Sequence, residues 1–153
     1  MTSLSRLVHH CTWANQVWID FLRREAAEDA YFASLMSHIL FGEQAWFQRI
    51  RGEEVDGRVW RVMAPEEMQR VHEAHVGVYS DLLSNDLERL VAFRRFTGEE
   101  SRASVSDILL HLCTHGMHHR GQMATHASSN GLEVPKSDFI HFCISRHDGG
   151  VNP

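Results

Sequence analysis

Apolar side chains recur along this chain at three- and four-residue steps, the spacing that gathers them on one face of a helix. Leu4, Leu7, Val8, Cys11, Ala14, Trp18, Phe21 and Leu22 mark a first helix over about Leu4 to Arg24, with Asn15 set in the middle of its stripe. A second runs from near Ala30 to Arg51, carrying Phe32, Leu35, Ile39, Trp46 and Ile50 on one side, and Gly52 stops it. Residues 53–64 read as a loop centred on Asp56-Gly57. Pro65 followed by Glu66 and Glu67 opens a third helix, since proline fits the first turn and acids favour the positive end of the helix dipole. Met68, Val71, His72, His75, Tyr79 and Leu82 carry it to about Ser84.

Residues 90–103 hold two short β-prone pieces around Thr97-Gly98, either a small hairpin or a loop. Ser104, with Asp107 three residues on, makes a capping-box-like start for a fourth helix that ends at Asn130-Gly131. After Pro135 a last apolar piece, FIHFCI, predicts a short helix or strand packed on the rest. Four long amphipathic helices imply an all-α four-helix bundle. The connections at 52–64 and 86–103 are long enough for a crossover, so up-and-down order is not dictated.

Composition adds bounds. The 153 residues, with no low-complexity linker or repeat, predict one domain over 1–153. No apolar run approaches the roughly 18 residues that span a bilayer. No basic-then-apolar leader opens the chain, and three scattered cysteines (Cys11, Cys113, Cys143) read as reduced thiols, so the expected location is the cytoplasm. A net charge of −5 argues against a nucleic-acid partner. Twelve histidines are the anomaly.

Four of them fall within HLCTHGMHH on the fourth helix. A helix turns about 100° per residue, so each side chain has a bearing around the axis. With His111 at zero, Ile108, Leu112, Met123 and Leu109 span about 60° to 160°, His115 points to about 40° and His119 to about 80°. His111 and His118 lie on the edge of that arc. His115 and His119 therefore look into the bundle one turn apart, within reach of a single ion. A third ligand has to come from another helix, and His38 in SHILFGEQAW is the candidate, with Gly42 one turn later leaving room beside it. His72 and His75 are alternative third ligands. His126 points inward but lies two turns from His119. His9 and His10 read as surface or interface residues, and His141 and His147 as outside any site.

The combination SHILFGEQAW with H-x3-H-x3-H-R-G-Q (its last histidine His119), together with the early W-A-N of Trp13, Ala14 and Asn15, resembles the DinB-like four-helix bundles across essentially the whole chain. The resemblance implies a divalent metal on His38, His115 and His119, a crossover connection and a homodimer. It also implies a small-molecule reaction: several such proteins are transferases using a low-molecular-weight thiol such as bacillithiol or mycothiol, and one branch isomerises maleylpyruvate. Many have no assigned reaction.

Three neutral imidazoles leave an ion its full charge and an open position, the pattern of a catalytic rather than a structural site. Zinc or nickel suits such a donor set. The leading reading is thus a metal-dependent enzyme, a transferase or hydrolase, that activates a thiol or water. Its rivals are a metal-binding stress-response or interaction module without catalysis and, disfavoured by charge, a DNA-damage-associated factor. Gln122, at about 20°, can hydrogen-bond a ligand or bound water. Asn15 is either satisfied by backbone carbonyls or a partner of the site. Arg120, at about 180°, either pairs with Glu43 or is solvated. Cys113, at about 200°, faces away and is a poor nucleophile.

Overall fold

The computed structural model describes residues 2–55, 60–95 and 97–147; the Asp56-Gly57 loop centre and the side chain of His147 lie outside the described residues. The elements are α1 (Ser3–Glu25), α2 (Ala30–Arg51), α3 (Pro65–Leu83), β1 (Leu90–Arg94), β2 (Glu100–Ser104), α4 (Val105–Ser129) and α5 (Phe139–His147). Local chemistry explains the boundaries. Asp29 caps α2 by accepting from the Tyr31 and Phe32 amides at 2.9 and 3.3 Å, and Gly52 ends that helix at φ 73°, a left-handed turn that costs glycine nothing. Ser104 Oγ accepts from the Asp107 amide at 3.1 Å while its hydroxyl donates to the Asp107 carboxylate at 2.7 Å, a reciprocal cap on α4.

Residues 90–104 form a hairpin rather than a loop: β1 and β2 pair antiparallel, Val91 opposite Ala103. The hairpin rests on α2 and α4. FIHFCI is helical, within α5, and lies on α1.

The long helices are not in up-and-down order. α1 packs on α3 and α4, and α2 packs on α3 and α4, whereas α3 and α4 scarcely meet. They therefore stand on a diagonal, and the chain from α3 crosses the bundle through the hairpin before entering α4. This crossover brings α2 and α4 side by side.

His10 corrects one expectation. It is buried at 2% exposure, and its Nε2–H donates to the Ser137 carbonyl at 2.9 Å. Its ring meets Phe139 and Phe142 of the closing helix. The imidazole anchors the segment leading into α5, a partner more than a hundred residues away.

The apolar core is divided. One cluster gathers Trp18, Phe32, Met36, Leu40, Met68 and Met123; the other gathers Val8, Phe47, Tyr79, Leu82, Ile108 and Leu112. Between the two stretches every long helix carries buried polar side chains: Asn15 on α1, Glu43 on α2, His72 and His75 on α3, and Arg120 on α4. A polar layer thus crosses the bundle at mid-height, at the level where His38 and the α4 histidines meet.

Candidate metal centre

The packing of α2 against α4 brings His38, His115 and His119 together. His115 Nε2 lies 3.2 Å from His38 Nε2 and 3.1 Å from His119 Nε2, and one nitrogen from each ring falls within 4.8 Å of the others. Zinc–imidazole bonds of about 2.0–2.1 Å set tetrahedrally put neighbouring nitrogens about 3.3 Å apart, so this donor set fits one ion. Among the described residues no further histidine, cysteine or carboxylate joins the group.

The surroundings hold the rings in place. His119 Nδ1–H donates to Gln122 Oε1 at 2.7 Å, which leaves Nε2 of that ring with its lone pair towards the other two. Gln122 was reached from its bearing, and the structure places it against the far nitrogen of His119. Trp60 stacks on His38 with ring centroids 3.7 Å apart and planes 9° from parallel. A Cβ at Gly42 would stand 3.2 Å from His115 Cε1, so only glycine leaves this imidazole its full space. Burial, reinforced by the neighbouring His119 and His38, lowers the pKa of His115 to about 4. It is therefore neutral, with a lone pair to offer, across the physiological range.

Arg120 and Asn15 differ from expectation. Arg120 is neither solvated nor paired directly with Glu43: it is buried and donates from Nη1 to Asn15 Oδ1 at 2.6 Å. Asn15 Nδ2 in turn donates to Glu43 Oε1 at 2.9 Å. Asn15 is thus satisfied by two side chains rather than by backbone carbonyls, and it sits in the polar layer, hydrogen-bonded to no ligand candidate. The amide does what a direct ion pair would, with its oxygen facing the cation and its nitrogen facing the anion. His75 Nδ1–H completes the chain by donating to Glu43 Oε2 at 2.8 Å. Burial drives the Glu43 carboxyl pKa up, but the bonds and charge from His75, with help from His72 and Asn15, more than offset it and leave the group below its ordinary value. Glu43 was detectable in sequence, since it continues the Ile39-to-Ile50 stripe of α2. His75 and His72, the alternative ligands, belong to this layer and not to the cluster.

The remaining histidines disperse. His126 pairs with Asp29 at 3.1 Å and stacks near Tyr31, His118 is exposed, and His141 bonds Asp138 at the start of α5. Hydrogen bonding with Cys11 and burial both push the Cys113 thiol up, which keeps it protonated and unreactive.

Beside the three imidazoles opens a cavity of about 520 Å³, with His38, Gly42 and His115 on its wall. The hairpin supplies Phe93, Arg95 and Ala103, α2 supplies Trp46 and Arg49, and α4 supplies Ile108 and His111. Sequence periodicity ranked none of these as site residues, because the cavity exists only once the hairpin is folded back over α2 and α4. Among the described residues no helix is long and apolar enough to cross a membrane. No curated protein matches the chain. The chain does match the DinB family over residues 1–147, and it belongs to that family.

Proposed function

We propose that His38, His115 and His119 hold one divalent ion, zinc or nickel, and that the protein is an enzyme transferring a small thiol, or water, to an electrophile. The observation that carries this reading is the convergence of three imidazole nitrogens from two helices at separations of 3.1 and 3.2 Å. A divalent ion held there would act as a Lewis acid, favouring the deprotonated form of a thiol or water near neutral pH. The chain's own residues supply the rest. Gln122 fixes the tautomer of His119, Trp60 fixes the plane of His38, and Gly42 gives His115 its place. The adjoining cavity favours a catalytic role over mere metal storage, because it offers a small molecule a walled approach to the imidazoles.

Elemental analysis of the purified protein should find about one zinc or nickel per chain, and His115→Ala should reduce it to background. Equal metal in both proteins would remove His115 from the site. With metal content established, conjugation of monochlorobimane is to be followed with cysteine, bacillithiol and mycothiol. Acceleration by at least one thiol that disappears in His115→Ala supports the transferase reading. Background rates with every thiol, and no hydrolysis of activated esters, leave a metal-binding module instead.

A further inference from the structure

The cavity beside the three histidines has a chemistry of its own. Its body is apolar, with Trp46 and Phe93 meeting edge to face at 4.9 Å between centroids, and Ile108 and Ala103 close by. Two guanidinium groups stand in this apolar wall. Arg49 lies with its Cζ 4.6 Å from the Trp46 ring centroid and 5.9 Å from that of Phe93. Arg95 reaches the same wall from the end of β1, tied among the described residues to Glu99 at 3.5 Å in an exposed pair. Exposed pairs of this kind contribute little and yield readily to a better partner. Among the described residues the carboxylate on the wall is Asp107, which is committed to the α4 cap through Ser104. Arg49 and Arg95 also border a second hollow of about 370 Å³ that carries Arg94 and Glu53, so among the described residues positive charge predominates along this edge.

We infer that the cavity is the binding site for a small monocarboxylate with a flat apolar body. Its ring or unsaturated chain lies against Trp46 and Phe93, and its carboxylate is held by Arg49 and Arg95. A volume of about 520 Å³ suits a molecule of this size. Guanidinium groups suit a carboxylate better than a point charge would, because their paired N–H donors match its two oxygens. The pairing also bears on orientation. His38 and His115 line the same cavity as the two arginines, and the orientation that brings the reaction to the histidines is the one in which a molecule anchored by its carboxylate extends its apolar portion towards His38 and His115. The inference rests on the metal-site reading only in naming that bound portion as the one to react; the binding itself needs no ion.

The probe is cinnamate, with cinnamamide as its uncharged counterpart, titrated calorimetrically into zinc-loaded and EDTA-treated protein. Cinnamate should bind at least about tenfold more tightly than cinnamamide in both forms, the discrimination expected of a bidentate charge-assisted contact. Arg95→Met and Arg49→Met should each weaken cinnamate towards the amide and leave the amide unchanged. Arg95, being exposed, gives a variant that folds. Equal affinity for acid and amide overturns the inference, as does an Arg95→Met protein that binds cinnamate like wild type. Absence of saturable cinnamate binding overturns it too. Binding that vanishes with EDTA while both arginine variants retain it places the carboxylate on the ion: the inference then fails and the metal reading stands. Discrimination that persists in a protein shown to hold no metal has the opposite meaning.

Discussion

His115 contributes a lone pair because the fold keeps its ring neutral, and that has a measurable cost in acid. Its pKa is lowered from 6.5 to about 4 by burial and by the two neighbouring imidazoles. Between those values the unfolded chain takes up a proton that the folded chain refuses, so stability falls as pH drops from about 6.5 towards 4. Urea melts of EDTA-treated protein should show this loss, and His115→Ala should lessen it; an unchanged slope would assign the acid sensitivity to His10, His72 and His111, whose pKa values burial also lowers. Gly42 tests the same ring sterically. Gly42→Ala puts a Cβ 3.2 Å from His115 Cε1, and moving one ligand in this way should weaken zinc binding by about 10-fold or more, measured by competition with a chromophoric chelator. Gln122→Ala, which frees the His119 tautomer, should weaken it by a similar factor of about 10 while leaving the melting curve of the metal-free protein in place.

At the scale of elements, the pattern of apolar steps was enough to place all four long helices, because each carries its own boundary chemistry. α2 lies between the Asp29 cap and Gly52, α4 between the Ser104 cap and Gly131, and these signals are local. The histidine cluster was legible for the same reason: a bearing on α4 needs only the helical repeat. What stood opposite each bearing was not legible. His10 looked like a surface residue until Ser137 and Phe142 closed over it. Arg120 faced away from the ligands as its bearing required, yet its partner proved to be Asn15 rather than Glu43. The hairpin was ambiguous because its strands, five residues each, gain their fit from α2 and α4 rather than from their own pattern. The space for Arg120 also comes from a neighbour: a Cβ at Gly116 would stand 2.8 Å from Arg120 Nη1 and 3.5 Å from Cys11 Sγ. Gly116→Ala should therefore lower stability by about 1–3 kcal/mol in denaturant melts, despite the better helix propensity of alanine.

Across the whole molecule, the layer of Asn15, Glu43, His75 and Arg120 ties all four long helices together at one height. Its charges are buried, so the bridging amide matters more than a surface contact would. Asn15→Ala leaves the facing ends of Arg120 and Glu43 without their common partner and should cost about 3–5 kcal/mol, the penalty for breaking a buried ionic arrangement from one side. A loss below about 1 kcal/mol would mean that water replaces the amide without difficulty. The layer also separates the Trp18–Phe32 cluster from the Phe47–Tyr79 cluster. Two oily compartments with a polar partition between them make the bundle behave as a pair of independent sectors. Trimming Ile19 to valine in one and Ile108 to valine in the other should produce penalties that sum to within about 0.5 kcal/mol in the double variant. With additive penalties, the Trp18–Phe32 sector is open to re-engineering without disturbing the Phe47–Tyr79 one.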